Sequence, residues 1–395
     1  MAKEKKEKKK PELKVLSDLS DFAFINQMVD ELKEINPYAS TMANAQIYDI
    51  KDWIDLGLPA LNMIVSSRFD RGVAAGRITQ LYGESQSGKT LVALQAALNA
   101  QKKGYIVALM ESEFGETRES LLNRGLDKTK TIMLPVKSLH SWHKCIKKII
   151  DIKERRPSAK IIAITDSLGN MGSAYESDKL AEGKKDQGQR QSTIRSIFKD
   201  VTIDIGVHAS PFIFTNHTYG GPGDMFKGRE QNITGGGGVK FLPTTTVQWD
   251  LGSLIKDGDQ VVGRVLKPYT IKNRVVPPYM ATELDLYFQT GFIKYSGLLQ
   301  IAVNFGFLSI EAGKVYVPHM PKIKRIRGGK KVEDHPTFKI SDALDGALGD
   351  EIWMPIMDKL QEKCIEENSY YSPEVEKLAT TEKTTLGAEV DGKED

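Results

Sequence analysis

The sequence predicts an α/β fold with a mostly parallel sheet, and three observations carry that prediction. The stretch Gly83-Glu84-Ser85-Gln86-Ser87-Gly88-Lys89-Thr90 reads Gly, four residues, Gly-Lys-Thr, the spacing of a P-loop. Its flanks are those the motif needs. Arg77 to Tyr82 alternates apolar and polar like a half-buried strand, and Leu91 to Ala100 is rich in Ala and Leu like a helix. Further on, apolar runs of strand length alternate with helical patterns, which implies a parallel sheet with ligands at the carboxyl ends of its strands.

The loop's chemistry follows from its residue types. Gly83 and Gly88 permit backbone conformations that a Cβ would block. The amides of Gly83, Glu84, Ser85, Gln86, Ser87 and Gly88 and the following helix N-terminus then point at phosphate oxygens. Lys89 reaches β- and γ-phosphates, and the Thr90 hydroxyl takes a Mg²⁺ ligand position.

Length and charge bound the rest. At 395 residues the chain has room for two or three units around one dominant core. The net charge of +3 is unevenly spread. Lys3, Lys5, Lys6, Lys8, Lys9 and Lys10 crowd the start, Lys322 to Lys331 forms a second basic cluster, and residues 374–395 turn acidic. Cys145 and Cys364 are the only cysteines, so no disulfide framework is implied, which suits a reducing cytoplasm. The charged start lacks the apolar core of a secretory signal, and no apolar run approaches the roughly 20 residues that span a bilayer.

In chain order, Leu19, Phe22, Ile25, Met28, Val29, Leu32 and Ile35 form one helical stripe that Asn36-Pro37 ends. That helix either covers its own core or docks on another subunit. Tyr105 to Met110 is a strand ending in Glu111-Ser112-Glu113, and Ser138 to Lys153 is a helix. His140 and His143 lie off its apolar side and read as surface residues. Lys160 to Asp166 is an apolar run ending in Asp, the Walker B pattern, whose Asp166 would hold Mg²⁺ through water. Two long loops, 172–191 and 216–240, then leave the end of the sheet where nucleotide should bind, so they read as functional. Strands follow at Thr244 to Trp249 and Val262 to Tyr269, and helices from Tyr295 to Phe307 and from Asp350 to Asn368.

Two pairs invite chemistry. Glu111 and Glu113 stand two apart at a strand end, on one face, and either could orient or deprotonate the water that attacks a γ-phosphate. Lys272 and Arg274 alternate on an extended segment. They could bind DNA phosphate, form surface pairs, or neutralise charge on a neighbouring subunit's nucleotide.

These residues together resemble the RecA-type strand-exchange recombinases, most closely the UvsX-type recombinases of tailed phages, from about residue 47 to 310. The resemblance is carried by Gly76-Arg77-Ile78 leading into the P-loop, Glu111-Ser112-Glu113-Phe114-Gly115 and Leu122 to Asp127. It is also carried by Thr165-Asp166-Ser167-Leu168-Gly169-Asn170, Asn216-His217-Thr218-Tyr219 and Tyr295-Ser296-Gly297-Leu298-Leu299. It implies a RecA-like core over 47–320 between an N-terminal part, 1–46, with a basic tail and polymerisation helix, and a C-terminal part, 321–395, with the basic cluster, a helix and an acidic tail. It implies Glu113 as catalytic glutamate, His217 as γ-phosphate sensor, and Lys272 and Arg274 as cations acting across a filament interface. The two loops match DNA-binding loops, with Lys179, Lys184, Lys185 and Arg190 in the first and Lys227, Arg229, Gly235, Gly236, Gly237 and Gly238 in the second. Thr117 to Leu121 holds no clear aromatic to stack on adenine, a departure from the family.

The function implied is a DNA-dependent ATPase that uses ATP and Mg²⁺. It would form helical homo-oligomeric filaments on single-stranded DNA and pair that strand with homologous duplex DNA. A loading mediator and a single-strand-binding protein would be further partners, no membrane is involved, and the place is the cytoplasm, that of the host if the gene is a phage's. The alternative is a ring helicase on the same core, against which the N-terminal helix and the UvsX-type motifs argue.

Overall fold

The computed structural model describes residues 20–173, 189–218, 236–318, 322–327, 330–339 and 349–368. The chain divides into two compact units, Met1–Asp49 and Ile50–Asp395. In the first, α1 (Asp21–Lys33) starts at Ser20, whose hydroxyl accepts from the Ala23 amide at 3.4 Å, an N-cap. Phe22, Ile25, Met28 and Leu32 of its apolar stripe are exposed.

The second unit opens with a strand pair, β1 (Trp53–Ile54) with β2 (Val73–Ala74), around α2 (Pro59–Ser66), all of whose residues are buried. Then come β3 (Ile78–Gly83), α3 (Lys89–Lys102), β4 (Ile106–Glu111), α4 (Arg118–Asn123), β5 (Thr131–Pro135), α5 (Leu139–Arg155) and β6 (Ile161–Asp166). After α6 (Gln189–Val207), β7 (Phe212–His217) and α7 (Gly236–Phe241), the chain runs through β8 (Thr245–Asp257), β9 (Gln260–Asn273), β10 (Leu284–Tyr287) and β11 (Gly291–Phe292). It continues with α8 (Leu298–Asn304), β12 (Ser309–Glu311), β13 (Lys314–Tyr316), β14 (Ile323–Arg327), β15 (Lys330–Asp334), β16 (Thr337–Lys339) and α9 (Asp350–Asn368).

Nine of these strands form one sheet in the order β11-β10-β9-β8-β3-β7-β6-β4-β5. From β8 to β5 the neighbours are parallel, and β9, β10 and β11 continue the sheet antiparallel. The α/β prediction is thus met. The period-2 alternation of a strand sorts its side chains into two cores. Leu81, Val107, Leu109, Ile162, Ile164 and Ile213 face one core with α2, α3, α8 and α9. Ile78, Met110, Ala163, Phe212 and Phe214 face the other, with α5 and α6. β3 lies in the middle, with all six residues buried, so the loop that leaves it stands on the most enclosed strand of the sheet.

The sequence reading placed the inner strands and long helices within a few residues. Ser138 caps α5 by accepting from the Ser141 amide at 3.2 Å. His143 is not merely solvated: its ring nitrogen meets Asp200 of α6 at 2.7 Å. One face of α9 buries Trp353, Ile356, Met357, Leu360 and Cys364 in the core beside α2. Gln361 on the same helix accepts from the Phe69 amide and donates to the Ser67 carbonyl, both at 2.8 Å. No described helix is long and apolar enough to cross a membrane.

Candidate functional site

The loop of residues 83–90 turns from β3 into α3 under two backbone constraints. Gly83 has φ +158°, and a Cβ there would stand 2.3 Å from the Trp249 carbonyl oxygen on β8, too close for any side chain. Gly88, the residue before α3, is left-handed at φ +78°. Inside the turn, Lys89 Nζ donates to the carbonyls of Glu84 at 2.6 Å and Gly83 at 3.1 Å, and lies 3.2 Å from Ser87 Oγ. Ser87 Oγ in turn donates to the Glu84 carbonyl at 2.8 Å. Burial pushes the Lys89 pKa down to about 8, against the pull of Asp166, Glu113 and Glu84. The ammonium is therefore buried among neutral loop oxygens, at the place where a polyphosphate would present full negative charges.

Asp166, the last residue of β6, faces the loop. Its carboxylate accepts from Thr90 Oγ1 at 2.7 Å and from Thr215 Oγ1 of β7. Burial pushes its pKa up, while these two hydroxyls hold it down. Glu113 lies just beyond β4 and accepts from His217 Nε2 at 2.8 Å and from Ser167 Oγ. The His217 hydrogen bond is the main cause that holds the Glu113 carboxyl below its usual range. Glu111 stands apart from this pair. It is 8% exposed, accepts from the Glu116 amide at 3.1 Å, and burial pushes its pKa up.

A cleft of about 350 Å³ brings Ser85, Gln86, Ser87, Gly88, Lys89 and Thr90 together with Glu113, Asp166 and His217, and Leu286 and Phe288 close its side. A wider cleft of about 770 Å³ shares Leu91, Leu286 and Phe288 with it and continues along Thr117, Ser120 and Asn123. The donor set fits a nucleoside triphosphate with a divalent cation. Loop amides and an ammonium suit phosphates, and the oxygen ligands Thr90 and Asp166 suit Mg²⁺.

Lys272 and Arg274 lie outside this cleft. Lys272 donates to the Phe241 carbonyl, and Arg274 approaches the same oxygen at 3.5 Å. Burial first, and then the Arg274 charge, push the Lys272 pKa down to about 8. Lys272 pairs with Thr246, which pairs with Gln80, so it sits three residues back from the Gly83 end of the sheet. Arg190 points its guanidinium at the carbonyls of Leu168, Gly169 and Met171. Gly236, Gly237 and Gly238 open α7. Lys179, Lys184, Lys185, Lys227, Arg229 and Gly235 lie outside the described residues.

Sequence reasoning missed Ser167, Thr215, Leu286 and Phe288. Two of them carried a signal. Ser167 directly follows the Walker B Asp166, and Thr215 shares the strand alternation of His217. Phe288 carried none, because it sits in a turn between two short strands.

A P-loop at the carboxyl end of a central strand, facing an acidic strand end two strands away, defines an α/β protein of P-loop architecture. Comparison with known proteins narrows that class. The RecA N-terminal domain family matches residues 54–293, and the chain belongs to that family. It is 30% identical over 267 residues to the recombination and repair protein of Enterobacteria phage T4, covering 67% of this chain and 66% of that protein. It is 28% identical over 237 residues to protein RecA of Chlorobaculum parvum, covering 60% and 66%. With protein RecA of Bacteroides thetaiotaomicron it shares 27% over 282 residues, covering 70% and 82%. The chain spans just under two thirds of the length of the first two.

Proposed function

We propose that this protein is an ATP-dependent recombinase that assembles as a helical filament on single-stranded DNA and exchanges that strand with homologous duplex. The observation that carries the reading is the convergence of Lys89, Thr90, Asp166, Glu113 and His217 in one cleft at the end of β3, β6 and β7. Family membership supports it, because related proteins carry the names RecA and recombination and repair protein.

In this reading the loop amides and Lys89 bind the β- and γ-phosphates. Thr90, and Asp166 through water, would hold Mg²⁺, which would neutralise charge on the phosphates. Glu113 orients or deprotonates the attacking water, and its low pKa keeps it an acceptor at neutral pH. His217 touches Glu113 from the last residue of β7, next to the start of the second loop, and so ties γ-phosphate sensing to DNA binding. Phe288 supplies an aromatic face for the base, in place of the one absent from Thr117 to Leu121. The two loops lie on DNA backbone, because homology is read by base pairing and not by the protein. Lys272 and Arg274 act on a neighbour's nucleotide. The division into 1–46, 47–320 and 321–395, the loading mediator and the single-strand-binding partner belong to the same reading, as does a cytoplasmic setting.

A strand-exchange assay between a circular single strand and its linear duplex tests this. Joint molecules are expected with ATP and none without it. Closed rings in electron micrographs of the protein with ATP and single strands, in place of filaments, would establish the helicase alternative.

A further inference from the structure

Arg190 was expected on DNA, as a cation of the first loop. The structure gives its guanidinium another use. Its Nε donates to the Met171 carbonyl at 3.0 Å, and its Nη2 donates to the carbonyls of Leu168 at 3.0 Å and Gly169 at 2.7 Å. A cation in the first turn of a helix such as α6 works against the helix dipole. Here the carbonyls of a second segment receive it.

That second segment is the 3₁₀ turn Leu168–Asn170, which follows Asp166 and Ser167 directly. Leu168 and Met171 anchor it in the α5 and α6 core. Ser167 is latched to the end of β4: its amide donates to Ser112 Oγ at 3.1 Å, and Ser112 Oγ donates to the Ser167 carbonyl at 2.7 Å. Ser167 Oγ then meets Glu113. On the other side Gly169 packs against β7 so closely that a Cβ there would stand 3.1 Å from Asn216 Oδ1 and 3.3 Å from His217 Cδ2. The turn that Arg190 grips is therefore the wall against which both hydrogen-bond partners of Glu113 are set.

We propose that Arg190 is a positioning residue, whose fork on the carbonyls of Leu168, Gly169 and Met171 aims Ser167 and His217 at Glu113. This rests on the reading of Glu113 as the group that acts on the attacking water. A planar guanidinium can hold several carbonyls at fixed angles, whereas an ammonium acts as a point charge. That difference separates positioning from DNA contact.

The test uses full-length Arg190→Lys, Arg190→Gln and Glu113→Gln with a thymidine homopolymer single strand. ATP hydrolysis is followed across pH, and DNA affinity across salt. Both Arg190 variants are expected to lose roughly ten- to a hundredfold in kcat, as small misplacements of reacting groups do. KM for ATP should stay within about twofold, and DNA affinity and its salt slope should not change. The acid limb of kcat should move up in pH. Glu113 faces His217 from β7, Lys89 from the loop, Asp166 from the end of β6 and Ser167 just after it; loosening His217 and Ser167 releases its carboxyl toward the ordinary range. Wild-type kcat and pH profile in Arg190→Lys, with weakened DNA binding and a salt slope shallower by about 0.7 in Arg190→Gln, would make Arg190 a phosphate contact and overturn the proposal. If Arg190→Gln does not fold, Arg190→Lys decides alone: an unchanged kcat and acid limb overturn the proposal. Retained turnover in Glu113→Gln would instead sink the reading on which the proposal stands.

Discussion

At the scale of single residues, Lys89 offers a measurable sign. Burial holds its pKa down to about 8, against the pull of Asp166, Glu113 and Glu84. A bound triphosphate adds full negative charges and raises that pKa. Nucleotide binding must then take up a proton at pH values above about 8, and affinity must fall there by up to about tenfold per pH unit. Calorimetry in two buffers of different ionisation enthalpy checks both. Binding without proton uptake at pH 9 would mean that Lys89 does not meet the phosphates. The P-loop was legible because its motif fixes residue types at fixed spacing. The Glu111 and Glu113 pair was not decidable from period-2 alternation, and the reason is physical. β4 ends at Glu111, and Phe114 takes a positive φ of 52°, so alternation stops before it reaches Glu113. Glu111 remains buried with the Glu116 amide while Glu113 hangs over the cleft. Ser167 and Thr215 could be placed only through their neighbours, Ser167 as the residue after Asp166 and Thr215 through its alternation with His217, since one hydroxyl has no pattern of its own.

At the scale of elements, the close approach of β8 to the end of β3 sets a sharp limit. Gly83→Ala places a methyl group 2.3 Å from the Trp249 carbonyl oxygen, so one strand must move. A loss of about 1–3 kcal/mol or more is expected from overpacking, read from denaturant unfolding. The same shift displaces the loop, so nucleotide affinity should fall as well. An Ala variant with unchanged stability would show that β8 can retreat freely. α9 can be tested in the same way. Trp353 is fully buried, and Trp353→Ala should cost about 3–5 kcal/mol if the helix is part of the core. Buried inner strands and long amphipathic helices could be read from sequence, because burial on both sides leaves an apolar run. β5 could not. It is the edge of the sheet, and Ile132 and Met133 are 51% and 41% exposed, so its apolar letters do not report burial. β8 runs several residues past its apolar stretch, because backbone pairing with β9 continues along the hairpin after its side chains reach solvent.

At the scale of the whole molecule, the place of Lys272 and Arg274 away from their own cleft sets up a mixing experiment. The double variant Lys272→Ala with Arg274→Ala should bind ATP nearly normally and lose DNA-stimulated hydrolysis, because cations acting in trans contribute roughly 10³-fold or more to turnover. Mixed with Glu113→Gln, it should regain activity at interfaces that join an intact Glu113 to intact cations on the neighbour. No recovery in co-assembled filaments would confine the two cations to their own subunit or to DNA. The position of β3 has a further consequence for opening. It is paired along its length on both sides, and its residues are buried. Amide hydrogens of Thr79 to Tyr82 can therefore exchange with solvent deuterium only when the sheet comes apart as a whole, whereas those of edge strand β5 can exchange through local fraying. The P-loop is thus fastened to a strand whose amides open only with the sheet, and a nucleotide held there should retard exchange across the entire sheet by mass action.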